Sequence, residues 1–223
     1  MSKIISIDVG IKNLGLCIFC INNDDTIDIV KWQTISLMGG VIRKCDGYTS
    51  SKSKCENVAK YKFENECFCG VHKKKGAIEI KKKNAEKVNM VTLGKNMKDV
   101  FDELLFDISG VEIVLIENQI SPIANRMKTI QGMTAQYFIN KNINNVVFVS
   151  SFNKLKLFSN KKLSYREKKK LSVEITTKFL NEVSNLKSWS SFFLASKKKD
   201  DLADCFLQGY YYLINNQLIN KLF

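Results

Sequence analysis

Residues 111–119, VEIVLIENQ, do most to constrain what this 223-residue chain can fold into. They read as a strand apolar on both faces, and such a strand is stable only when both faces are covered. It ends in Glu117 and Asn118. The N-terminal run KIISIDV repeats the arrangement, β-branched and dense but broken by one acid, Asp8. A carboxylate inside such a run is costly to bury unless it is paired or bound to a metal.

The rest of the chain arranges itself around these two strands. GIKNLG turns the chain after Asp8 into LCIFCI, with more strand at IDIVKWQTI, an antiparallel meander of about three strands. From Gly39 to about Lys83 aliphatic periodicity disappears and Cys, Lys, Ser and Gly take over, which reads as an inserted module at 40–83, or a long surface excursion, within a domain spanning 1–223. Between Asn84 and Ile108, Val88, Val91, Leu93, Val100, Leu104, Leu105 and Ile108 partly follow a helical rhythm leading into the central strand. Ser121 and Pro122 read as N-cap and first residue of a helix with Ile123, Met127, Ile130 and Tyr137 or Phe138 inward. NNVVFVSS reads as another buried strand, followed by a lysine-rich loop and helix from about Lys154 to Leu186, then a last helix. Strands followed by alternating helices and strands imply an α/β domain with a mixed sheet flanked by helices.

Charge narrows the partners. Thirty-five Lys and Arg against 22 Asp and Glu give +13, which suits a polyanion such as nucleic acid. No apolar run is long enough for a spanning helix, so no membrane partner is expected. The first residues lack the features of a signal peptide. An intracellular location follows as the expectation, with seven cysteines kept as thiols or metal ligands.

The last helix opens with KKKDDLADC, and Asp201 and Asp204 stand i, i+3 on one face. Such a start also suits a solvated amphipathic helix whose early acids favour the positive end of the helix dipole. With Asp8 and Glu117 at strand ends, however, the four acids point to one crevice holding divalent ions beside a phosphate backbone. IDVGIKNLG, IENQ and KKKDDLADC resemble the three acidic motifs of RuvC-like Holliday junction resolvases, in the branch found in poxviruses and other large cytoplasmic DNA viruses. That resemblance implies an RNase H-like fold of the retroviral integrase type. It makes Asp8, Glu117, Asp201 and Asp204 the catalytic ligands of two Mg²⁺ or Mn²⁺ ions, with Asp200 ranked below them. It implies four-way (Holliday) junctions as the branched DNA partner, a homodimer making paired nicks, and a basic residue near the site. Lys154, Lys156, Lys168, Lys169 or Lys170 could supply it and contact DNA; the run at 161–170 is otherwise a solvated face. If viral, the chain would work in the host cytoplasm or nucleus.

Within the insert, Cys45, Cys55, Cys69 and His72 form a candidate structural Zn²⁺ site, with Cys67 a substitute and reduced surface cysteines the alternative. The insert is similar to Cys/His inserts in related resolvases of other large DNA viruses. Lys73–Lys75 and Lys81–Lys83 beside it suggest a junction-gripping lobe, against a purely structural clip. Cys17, Cys20 and Cys205 read as core residues. Competing functions are an RNase H-like nuclease acting on RNA or RNA–DNA hybrid, and a nucleic-acid binder without catalysis. GIKNLG fits neither nucleotide-binding fingerprint.

Overall fold

A computed structural model describes residues 2–39, 43–80, 84–120, 125–159, 161 and 163–220. The chain divides into two compact units, one of Met1–Leu37 with Asn89–Phe223 and one of Met38–Val88. In chain order the elements are β1 (Ser2–Asp8), β2 (Leu14–Ile21), β3 (Ile27–Ile35), β4 (Tyr61–Phe63), β5 (Glu66–Phe68), β6 (Ile78–Glu79), α1 (Met90–Leu104), β7 (Val111–Asn118), α2 (Asn125–Asn140), β8 (Val146–Ser150), α3 (Tyr165–Glu182), α4 (Ser190–Ala195) and α5 (Lys199–Asn215).

The larger unit is built on one sheet of order β3-β2-β1-β7-β8. β1, β2 and β3 are antiparallel; β7 runs parallel to both β1 and β8. The sheet is therefore mixed, as the order of the apolar runs implies. Side chains alternate across it. Ile4, Cys17, Phe19, Leu115 and Val149 face α3 and α5, joining Phe179, Phe206 and Tyr210 in one core with Trp32 and Phe193. Ile5, Ile7, Val114 and Ile116, also fully buried, alternate to the other face. There α2 packs on β7 and β8, and α1 packs on α2 through Phe101 against Tyr137 and Phe138. Cys17, Cys20 and Cys205 are buried core residues.

Three sequence expectations change. The inward face of α1 is Leu93, Met97 and Phe101, continued by Leu105, while Val91 is exposed, because an i, i+4 stripe and not the valines meets α2. β8 is an edge strand with only Val149 buried and Phe148 half exposed, since no strand of the described residues pairs beyond it. The short helix α4 adds Phe193 to the core, stacked on Trp32. The expected cap at Ser121 and Pro122, and Ile123, lie outside the described residues, as do Lys81–Lys83. No helix of the described residues is long and apolar enough to cross a membrane.

The smaller unit holds the antiparallel sheet β5-β4-β6. Its core is Cys45, Cys55, Phe68 and Cys69 with Phe63 packed against them. A fully buried large apolar side chain contributes about 1.5–3 kcal/mol, whereas ordering costs about 1–2 kcal/mol per residue. So small a cluster does not order this segment by itself, and its cysteines form no disulfide.

Candidate active site and candidate metal centre

The acid site is assembled by close backbone packing. Ile7 pairs with Ile116 in parallel register, so Asp8 and Glu117 emerge side by side at the ends of β1 and β7. Both lie on the face covered by α5. Gly15 is Asp8's antiparallel partner, and a Cβ there would stand 2.5 Å from the Asp201 carbonyl oxygen. Glycine thus lets the first turn of α5 come down beside Asp8. Trp32 Nε1 donates to the Leu202 carbonyl at 3.0 Å, and buried Gln208 donates through Nε2 to Ser6 Oγ at 3.1 Å. These bonds fix the rotation of α5 that turns Asp201 and Asp204 toward the strand ends. Gly10 serves the loop between β1 and β2, where a Cβ would stand 2.1 Å from the Asn13 carbonyl oxygen.

All four acids line one cavity of about 460 Å³, together with the 9–13 loop, Lys154, Lys168, Lys169, Phe152 and Tyr165. Lys154 Nζ lies 2.8 Å from Asp204 Oδ2 and 3.3 Å from Glu117 Oε1. Lys169 Nζ lies 3.0 Å from Asp200 Oδ2 and 3.4 Å from both Asp201 Oδ1 and Asp204 Oδ2. α3 delivers Lys169 from a helix begun by a reciprocal Ser164–Glu167 capping box. Gln119 Nε2 donates to Glu117 Oε2 at 2.9 Å, while the Gln119 N–H donates to Oε1 of buried Gln131 at 2.9 Å.

Burial and neighbouring charges shift four of these groups. Removal from water, then the Glu117 charge, pushes the Asp8 carboxyl well above the usual range, with Lys154 opposing. Burial also raises Asp201, helped by the Asp200 charge. For Lys154, burial acts downward, but the charges of Asp8, Asp204 and Glu117 outweigh it and hold the ammonium above its usual value. Lys169 is raised in the same way by Asp204, Asp200 and Asp201 against burial. Asp201 Oδ2 is buried with no hydrogen-bond partner among the described residues, Lys198 Nζ standing 3.8 Å away. Four carboxylates thus face two ammonium groups, with an orphaned oxygen among them. This donor set fits hard divalent cations.

Of the lysines expected near the site, Lys154, Lys168 and Lys169 line the cavity. Lys156 and Lys170 do not: Lys156 is exposed, and Lys170 pairs with Glu174 at 3.6 Å on the outer face of α3. Asp200 pairs with Lys169 without lining the cavity. Gln119, within the IENQ motif itself, and Gln131 join the site through their amides, which no sequence pattern marks.

In the smaller unit, ligand atoms of Cys45, Cys55, Cys69 and His72 all lie within 4.8 Å of one another. His72 Nδ1 is 3.4 Å from Cys45 Sγ and 3.5 Å from Cys69 Sγ. A tetrahedral ion bonded at about 2.3 Å to sulfur and about 2.0–2.1 Å to nitrogen sets these atoms about 3.5 Å apart. The N–H groups of Gly47 and Cys69 donate to Cys45 Sγ, and a Cβ on Gly47 would stand 2.7 Å from the His72 ring. Burial raises the Cys45 thiol, whereas a backbone bond from His72 leads in lowering Cys69 to about 6. Cys67, the substitute ligand, lies outside this cluster and accepts from Arg43 Nη1 at 3.7 Å.

The chain, with a mixed sheet of order β3-β2-β1-β7-β8 and acids at its strand ends, has an RNase H-like fold. It matches the family described as Poxvirus A22 protein over residues 69–216 and belongs to that family. It also matches the family described as Mitochondrial resolvase Ydc2 / RNA splicing MRS1 over residues 4–129. It is 30% identical over 197 residues to "Uncharacterized protein L451" of Acanthamoeba polyphaga mimivirus, the match covering 71% of this chain and 46% of that protein. The chain therefore spans about half the length of that curated relative. Its fold is similar to that of the fowlpox virus Holliday junction resolvase (TM-score 0.55, 17% identity, 96% of this chain and 99% of that one). It is similar too to the yeast mitochondrial Holliday junction resolvase Ydc2 (TM-score 0.53, 15% identity, 95% and 79%).

Proposed function

We propose that this chain is a metal-dependent, structure-selective DNA endonuclease that resolves four-way junctions by paired phosphodiester nicks inside the cell that carries it. The observation that carries this reading is the convergence of Asp8, Glu117, Asp201 and Asp204 with two charged lysines in one cavity of a resolvase fold. The four acids would hold Mg²⁺ or Mn²⁺, which when bound supplies Lewis-acid polarisation of the phosphate and an activated water. Lys154 has its own part. Its raised ionisation keeps it an ammonium, so it stabilises charge on a phosphoryl oxygen and does not serve as a general base. Lys168 and Lys169 orient the backbone at the cavity wall, and Gln119 holds Glu117 in position. A four-way junction has approximate two-fold symmetry, so a C₂ homodimer presents one site to each strand to be cut. Residues 40–83 form an inserted module whose Cys45, Cys55, Cys69 and His72 hold a structural Zn²⁺.

The RNA splicing named in the second family description makes RNA, or an RNA–DNA hybrid, the competing substrate. Cleavage of a labelled four-way junction, a matched duplex and a hybrid, with Mg²⁺, Mn²⁺ or EDTA, separates the readings. Symmetric metal-dependent nicks on the junction, absent in Asp201→Asn, are expected. Cleavage confined to the hybrid would overturn the substrate, and junction binding without cleavage in any metal would overturn the enzyme.

A further inference from the structure

The chain's positive charge is concentrated in its smaller unit. Residues 38–88 hold thirteen Lys and Arg against six Asp and Glu, a net +7 of the chain's +13. Three of those lysines, Lys73–Lys75, follow His72 directly, so the Cys/His centre sets where they begin. Aromatic rings then hold two of them. Lys73 Nζ lies 4.5 Å from the Tyr61 ring centroid, and Lys74 Nζ lies 4.7 Å from that of Phe68. β4 and β5 pair Tyr61 with Phe68, which puts both rings on one face of the small sheet. Lys74 also pairs with Glu66 at 3.2 Å, leaving Lys73 and Lys75 exposed with no ion pair among the described residues. A flexible lysine loses side-chain entropy when it binds; lysines already held over rings lose less.

From this geometry we infer that Lys73–Lys75 form a second nucleic-acid contact, a ridge that grips the sugar–phosphate backbone of a duplex arm. The inference rests on the nuclease reading only for the identity of the polyanion. An anionic membrane is the lesser fit, because the described residues of this unit contain no helix beyond the three-residue 3₁₀ turn Ala85–Lys87, and so no amphipathic helix to lie in a lipid interface. The ridge reads charge and spacing and carries no sequence preference.

The test is equilibrium binding of the full chain to a fluorescent duplex and a four-way junction across a series of NaCl concentrations, in buffer with neither added divalent cation nor chelator, where cleavage plays no part and the Cys/His centre is left intact. For Lys73→Gln/Lys75→Gln we expect about tenfold weaker binding at low salt. Its log–log salt slope should be shallower by about 1.8, since each lost phosphate contact removes about 0.9. Glu66→Gln, which releases Lys74 from its ion pair, should bind a few-fold more tightly and guards against misfolding of the double variant. Unchanged affinity and slope in both variants would overturn the ridge. So would lost binding to phosphatidylserine vesicles with DNA affinity intact. A wild-type chain that binds through the ridge yet cuts no junction would overturn the nuclease reading and leave this one standing.

Discussion

The two units solve the same problem, holding like charges close together, by opposite means. In the larger unit an extensive apolar core exists first. Trp32, Phe19, Phe206 and Tyr210 are fully buried, and the sheet and α5 they fix force four carboxylates into one cavity. The charges there are a cost that the scaffold bears. In the smaller unit the buried cluster is three cysteines and a phenylalanine, and the candidate ligands are themselves most of the core. The acid site should therefore survive loss of its cations as structure while losing its chemistry, whereas the Cys/His unit should lose its structure.

The largest expected effect tests that contrast directly. Structural zinc sites contribute about 10–16 kcal/mol of apparent binding free energy, far more than the small cluster can replace. Chelation at neutral pH, or His72→Ala, should bring amide exchange in residues 43–80 to unfolded rates while β1, β7 and α5 keep their protection. Exchange mass spectrometry checks this. Global unfolding in one transition would break the distinction between the units.

Next in size is the converse. Asp204 is the carboxylate shared by both cavity lysines, so Asp204→Asn should lower junction cleavage about 10³-fold or more, on the order of 4 kcal/mol of lost barrier reduction. Any fall in the thermal midpoint should be far too small to account for that loss, because Lys154 keeps Glu117 and Lys169 keeps Asp200 and Asp201 as partners. A variant that loses activity only in proportion to lost folded protein would show Asp204 to be structural.

Lys154→Met sharpens the account of the cavity itself. Its ammonium lies between Glu117 and Asp204 with a side chain only 13% exposed. Removing one member of such a buried group costs about 3 kcal/mol, because the partners remain charged and unpaired. Denaturant unfolding in EDTA should record that loss, and added Mg²⁺ should recover part of it. Full wild-type stability without metal would mean that the acids are held apart without help.

How much of this was legible in the sequence depends on whether the signal was local. Asp8 and Glu117 stood out because an acid in a β-branched run is anomalous wherever it lies, and the i, i+3 spacing of Asp201 and Asp204 is a local fact. What depends on strand order was not legible. NNVVFVSS looks as apolar as a central strand, yet Phe148 is half exposed because β8 ends the sheet. Nor could composition choose among the lysines. The turn after β8 aims Lys154 inward and leaves Lys156 outside, and α3 turns Lys168 and Lys169 inward but Lys170 outward. Gln131 is invisible for a related reason: a glutamine in a helix carries no mark of the Gln119 N–H it accepts from. In the insert, spacing favours Cys69 with Cys67 as a substitute, and it is the Cys69 thiol that approaches His72 Nδ1.

The smallest effect asks whether exposed charges matter in the unit that has a core. Asp102 on α1 accepts from Lys98 at 2.7 Å, Lys141 at 3.0 Å and Tyr137 Oη at 2.9 Å. The Lys98 bond first, then those of Lys141 and Tyr137, depresses its carboxyl well below the usual range. A folded-state value below the unfolded one means that the stabilisation is complete above the ordinary carboxylate pKa, about 3.9, and is lost as pH falls through the depressed value. Asp102→Asn should therefore lower the thermal midpoint by a constant amount between pH 5 and pH 7, and the gap to wild type should narrow below about pH 4. Because water screens the cluster, that gap should be a few degrees at most. A gap that widens on acidification would reverse the sign and rule out the carboxylate as its source. A much larger gap at neutral pH would mean that the larger unit also leans on its surface charges, and the contrast with the Cys/His unit would be one of degree.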